Sequence, residues 1–153
     1  MTTSRTAPYA TGHIGLNVTD LRRSMAFYQE VFGFDALAES RDAGRSFVFL
    51  GYGDALVLTL WEQSTGAFPA DRPGLHHLSF QVDSMDQVRE AEGRARSVGA
   101  RIFHGGVVPH QEGSASGGVF FADPDGIRLE VFAPGGAEAM TAPTPGAPTC
   151  GFF

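Results

Sequence analysis

The same local pattern opens two stretches of this 153-residue chain, and this internal repeat limits the fold more than any other feature. His13-Ile14-Gly15-Leu16-Asn17-Val18 begins one unit, and His77-Leu78-Ser79-Phe80-Gln81-Val82 begins the other. Both alternate with period two, as a strand does when one face lies on a core. A helix signal follows each. Asp20 can cap a first helix with the apolar stripe Leu21, Met25, Tyr28 and Phe32, closed by Gly33. Ser84 with Gln87 makes a capping-box pattern for the second, and Val88, Ala91, Ala95 and Val98 follow before Gly99.

Three strands are expected after each helix, near 34–41, 45–51 and 54–61 in the first unit and near 100–106, 117–122 and 127–132 in the second. Asp123-Pro124-Asp125-Gly126 supplies a turn between the last two. The expected class is α+β, built from two βαβββ modules. Residues 1–11 read as an N-terminal arm, 12–61 as the first module, 62–74 as a Pro- and Gly-containing linker and 75–133 as the second module. Residues 134–153 are rich in Ala, Pro, Gly and Thr with almost no charge, and by composition they form a mobile tail. Phe152 and Phe153 are its obvious anchors if it packs across the domain or onto a partner.

Strand parity separates two faces. Ile14, Leu16 and Val18, Leu56, Leu58 and Leu60, Leu78, Phe80 and Val82, and Ile127, Leu129 and Val131 form the rows expected beneath the helices. The opposite rows carry His13, Gly15 and Asn17, Val57, Thr59 and Trp61, His77, Ser79 and Gln81, and Arg128, Glu130 and Phe132. Two such sheets together would line a polar-centred cavity. Any one of these polar residues alone reads as part of a solvated sheet face. His13 and His77, however, hold equivalent repeat positions, and with Glu130 they form a two-His-one-carboxylate set. Neutral imidazoles and a carboxylate suit Fe(II), Mn(II), Zn(II) or Ni(II), and three protein ligands leave positions open for water or substrate.

The remaining composition narrows the function classes. The formal charge is −6, and all eleven basic residues are Arg. Without a basic cluster, a nucleic-acid partner is not expected, and without lysine there is no Schiff-base chemistry. No apolar stretch reaches membrane-spanning length, and the opening residues lack the apolar core of a signal peptide. The single cysteine, Cys150, fits a reducing compartment, so a cytoplasmic location is expected.

Gly12 to Asp20, Met25-Ala26-Phe27-Tyr28 and Phe32-Gly33-Phe34 resemble the opening of a glyoxalase/bleomycin-resistance/extradiol-dioxygenase module, the vicinal-oxygen-chelate superfamily. His76 to Val82 and Phe121 to Glu130 are similar to the opening and close of a second module. The likeness spans about residues 12–133. It implies paired curved mixed sheets around a cavity, with metal ligands falling on His13, His77 and Glu130. It also implies a small oxygen-bearing substrate held at a divalent metal.

Glyoxalase I enzymes usually add a glutamate near the end of the first module. Here the inward position is Thr59, and Glu62, a conceivable substitute, has the opposite parity. The set therefore resembles extradiol dioxygenases and fosfomycin-resistance thiol transferases more closely. Phe120 stands where those families often place a tyrosine, and His110 is the nearest counterpart of the transferases' loop lysine. His110 is the candidate general acid or base, since imidazole titrates near neutrality. Asn17, Val57, Thr59, Trp61, Ser79, Gln81, Phe120, Arg128 and Phe132 are the expected cavity lining, Phe47 and Phe49 are assigned to the core, and His104 receives no role.

A dioxygenase-like enzyme with Fe(II) is the favoured reading. The alternatives are a glyoxalase-, lyase- or thiol-transferase-type metal enzyme and a non-catalytic small-molecule or antibiotic-binding protein. The family closes its cavity by pairing modules within a chain or between chains. The expected assembly is a homodimer, with His13 from one copy meeting His77 and Glu130 of the other.

Overall fold

The computed structural model of the protein describes residues 7–153, so the first six residues of the expected N-terminal arm lie outside the described residues. Two four-stranded mixed sheets and two helices form the α+β architecture. The first module runs β1 (Ile14–Val18), α1 (Leu21–Phe32), β2 (Asp35–Ser40), β3 (Phe47–Tyr52) and β4 (Ala55–Glu62), with sheet order β1-β4-β3-β2. The second runs β5 (Leu78–Gln81), α2 (Met85–Ser97), β6 (Val108–Pro109), β7 (Gly117–Ala122) and β8 (Arg128–Ala133), with order β5-β8-β7-β6. In each sheet the module's first strand lies parallel to its last.

The local chemistry explains the helix limits. The Asp20 carboxylate accepts from the Arg23 N–H at 2.9 Å, and Gly33 ends α1 in the left-handed conformation, which costs glycine least. Ser84 and Gln87 close a reciprocal capping box on α2. Leu21, Phe27, Tyr28 and Val31 of α1, and Met85, Val88, Ala91 and Ala95 of α2, are buried against Leu16, Val18, Leu58, Leu60, Leu78, Leu129 and Val131 of the sheets. Met25 and Phe32, expected in the α1 stripe, are only half-buried at its edges.

One expected strand is absent. Residues 100–106 contribute only an isolated bridge between Ile102 and Phe121. His104, Gly105 and Gly106 all have positive φ, which a strand cannot accommodate. The edge strand is instead β6, pairing Val108 with Gly118 and Pro109 with Gly117.

The modules are joined at the turn after β7. Asp123 accepts from the Tyr28 hydroxyl at 2.9 Å and from the N–H groups of Asp125 and Ile127, each at 2.9 Å. Asp125 accepts from the backbone and hydroxyl of Thr19 and from Arg23. Phe32 lies 4.7 Å from Phe80 and Phe27 lies 6.3 Å from Phe121, centroid to centroid, so an aromatic seam runs beside this polar staple.

Residues 134–153 are seated, contrary to what their composition suggests. Ala137, Ala142 and Thr149 are buried. The Ala137 N–H donates to the Ala115 carbonyl at 2.9 Å, and the Ala142 N–H to Glu112 at 2.8 Å. Thr149 donates its N–H to the His110 carbonyl and its hydroxyl to the Pro109 carbonyl, both at 2.7 Å. A side chain at Gly117 would lie 2.7 Å from the Ala137 Cβ, so the glycine makes room for this strap. Main-chain bonds and small side chains anchor it, a signal that hydrophobic periodicity does not carry.

Candidate functional site

Register places the second-module candidates together. β5 and β8 run parallel with Ser79 opposite Glu130, and His77 shares the parity of Ser79. His77 Nε2 lies 3.4 Å from Glu130 Oε2. Glu130 is only 3% exposed, whereas Ser79 and Gln81 on the same face are exposed. Burying a carboxylate demands polar partners. His110, immediately after β6, supplies one, its Nε2 lying 2.5 Å from Glu130 Oε1 while its Nδ1 meets the Ser116 hydroxyl at 2.7 Å.

Burial lowers the His77 pKa, opposed by the Glu130 charge, and a neutral ring keeps a lone pair for a metal. His110 is engaged at both ring nitrogens. These contacts tie the His110 ring between Ser116 and Glu130.

The first module follows the same register, with Gly15 opposite Thr59 in β1 and β4. His13 therefore corresponds to His77, and Thr59 to Glu130. His13 is exposed on its own sheet, and among the described residues of one chain no group of three His, Cys, Asp or Glu side chains is placed to hold a metal ion. His77 and Glu130 could hold two positions of a divalent site. Glu62 Oε2 accepts from the Leu21 N–H at 2.7 Å, at the start of α1.

The expected lining residues divide. Asn17 is exposed and accepts from the Gln63 N–H at 2.9 Å. Thr59 is buried and accepts from Trp61 Nε1 at 2.9 Å, so its hydroxyl carries the indole on the cavity-side row. Phe47 and Phe49, assigned to the core from sequence, are half-buried and cluster with Trp61 on the cavity-side row. Val57, expected in the cavity, lies in a groove of about 410 Å³ between the modules with Phe32, Phe34, Tyr52, Phe80 and Gln81. The β3–β4 register shifts there, Leu50 pairing with Leu58 but Gly51 with Leu56, so Val57 is the extra residue of a bulge in β4. In the second sheet Phe132 packs beside His110 at 5.3 Å, Phe120 is fully buried, and Arg128 is half-buried.

No motif in the sequence singles out His104. It is the one non-glycine residue with positive φ among the described residues, at 58°, and its Nε2 is buried without a hydrogen-bond partner. Burial lowers its pKa. The two glycines that follow it were the available signal. They mark an irregular turn at the sheet edge, where a side chain can be aimed inward.

The sequence matches the profile of the Glyoxalase/Bleomycin resistance protein/Dioxygenase superfamily over residues 10–131. It is 30% identical over 129 residues to a lactoylglutathione lyase of Salmonella typhimurium, covering 78% of this chain and 88% of that protein. It is 27% identical over 124 residues to a catechol-2,3-dioxygenase of Bacillus subtilis, covering 80% of this chain but 40% of the longer dioxygenase. A solved glyoxylase/bleomycin resistance protein/dioxygenase domain from Frankia sp. EAN1pec matches with a TM-score of 0.68 and 30% identity, over 84% of this chain and 93% of that one. With the repeated module, the sheet order and the extent of the profile in agreement, the chain belongs to the Glyoxalase/Bleomycin resistance protein/Dioxygenase superfamily.

Proposed function

We propose that the protein is a divalent-metal enzyme for a small substrate with two neighbouring oxygens, dioxygenase-like in its chemistry. The observation that carries this reading is the pairing of His77 Nε2 with the buried Glu130 at 3.4 Å. His13 of a second copy would complete the ligand set, making the enzyme a homodimer. The metal, with Fe(II) favoured, would polarise the substrate oxygens or activate dioxygen. His110 would keep Glu130 oriented, the role that a hydrogen-bonded neighbour plays around ligating carboxylates. Arg128, on the same strand as Glu130, would attract an anionic substrate, and the Phe47, Phe49 and Trp61 cluster would cover the site from the facing sheet. Thr59 in the place of a first-module carboxylate favours this reading over glyoxalase chemistry.

The test combines metal analysis with subunit complementation. His13→Ala and Glu130→Ala proteins should each hold little metal alone, because a three-ligand site cannot spare one. Co-refolded heterodimers should recover one intact site per dimer. Full metal occupancy in either parent, or no recovery in verified heterodimers, would sink the shared site. Turnover that proceeds equally without dioxygen would redirect the chemistry to isomerase, lyase or transferase.

A further inference from the structure

The strap carries Phe153 into the candidate site. The Phe153 ring lies 5.2 Å from Phe120, 5.2 Å from Phe103, 5.6 Å from His77 and 5.7 Å from His76, centroid to centroid. The Arg128 guanidinium carbon sits over the ring at 5.2 Å. His104 borders the same space, its ring 6.3 Å from Phe153 and edge-on to Phe120 at 5.7 Å.

We propose that Phe153 is an internal plug in a ring-binding compartment beside His77, and that a planar, oxygen-bearing ligand displaces it and pairs with His104 Nε2. Two independent observations support this. A phenyl ring already fills the compartment in a cage of aromatic, imidazole and guanidinium groups, so the space has the shape and polarity that a flat ring needs. Beside it, His104 holds a strained backbone and a buried ring nitrogen with no partner. Both are costs that a packing role leaves unexplained and a ligand would offset.

The anchoring of the strap permits such exchange. Its last buried anchor is Thr149, held to Pro109 and His110, while Phe152 is 57% exposed. Residues 150–153 can therefore swing out about Thr149 without dismantling the bonds at Ala137 and Ala142. A plug that fills the compartment most of the time lowers the apparent affinity of any competing ligand by the fraction of time the compartment stands open.

The inference rests on the reading that places the ligand beside His77 and Glu130, and it is tested in the metal-free full-length protein so that the two can fail separately. Phenol and toluene are titrated by ligand-observed NMR. Phe153→Ala should bind both probes roughly tenfold more tightly than wild type or more, whereas Phe152→Ala should match wild type. Phenol should outbind toluene in Phe153→Ala. Adding His104→Asn, a residue that tolerates positive φ, should abolish that preference and leave toluene unchanged.

In the unaltered chain, saturating phenol should speed the reaction of Cys150 with a disulfide reagent, because this half-buried thiol moves with the plug. Equal phenol affinity in wild type and Phe153→Ala, with Cys150 reactivity unmoved by phenol, would overturn the plug. A phenol preference that survives His104→Asn would overturn the polar contact. A Phe153 effect in a protein that binds no divalent metal would leave the plug standing and remove the metal enzyme.

Discussion

At matched positions of the two sheets, the first module sets Gly15 opposite Thr59 and the second sets Ser79 opposite Glu130. The apolar rows beneath them are nearly interchangeable, with Leu16, Val18, Leu58 and Leu60 in one and Leu78, Leu129 and Val131 in the other. The upper rows diverge. In the first module Thr59 and Trp61 satisfy each other, and Phe47 and Phe49 pack alongside, a neutral aromatic surface with no buried charge. In the second a buried carboxylate stands between two imidazoles, with His76, His104 and Arg128 nearby. A shared scaffold fixes where a side chain points, and one substitution in the upper row decides whether that direction carries a buried carboxylate or a neutral hydroxyl. Buried charge is costly to folding, and Asp123, Asp125 and Glu130, the buried charged residues among those described, all lie in the second module.

The largest expected effect tests that asymmetry directly. After reconstitution with Mn(II) or Fe(II), Glu130→Ala should reduce bound metal to background by elemental analysis, while Thr59→Ala should leave it at the wild-type level. Comparable losses in the two variants would erase the functional distinction between the modules.

An intermediate effect is expected at the staple that holds the modules together. Tyr28→Phe deprives the buried Asp123 of one donor and should cost about 1–3 kcal/mol in urea unfolding. Tyr52 also donates, to the Phe32 carbonyl, but it is 52% exposed, so Tyr52→Phe should change stability by less than about 0.5 kcal/mol. Similar costs for the two tyrosines would mean that the polar staple contributes no more than a surface hydrogen bond.

The smallest effect compares the two faces at their most equivalent point. A Cβ at Gly15 would meet the Thr59 hydroxyl at 3.2 Å and the Trp61 indole nitrogen at 3.6 Å. Gly15→Ala should therefore cost about 1 kcal/mol from overpacking. Ser79→Ala, on an exposed position, should stay within about 0.5 kcal/mol of wild type in the same assay. A neutral Gly15→Ala would show that the aromatic face of the first module yields more readily than its geometry suggests.

The sequence by itself determined the elements and their faces. Period-two alternation, the Asp20 cap, the Ser84–Gln87 box and the Asp-Pro-Asp-Gly turn are local features, and local sterics and hydrogen bonding act on them whatever surrounds them. From parity alone, His77 and Glu130 belong on one side of a sheet. Only the tertiary structure decided which polar groups meet across it. The His110–Glu130 contact joins residues twenty apart, and the Tyr28–Asp123 bond joins residues ninety-five apart.

The same holds for the loss of strand structure at 100–106, where a His-Gly-Gly turn overrides an apolar stretch. It holds most clearly for residues 134–153, which have neither period nor charge. Their place comes from carbonyls and small-residue gaps that exist only once β6 and β7 have formed, and no local rule in the strap anticipates that its Phe153 ring will lie against His77.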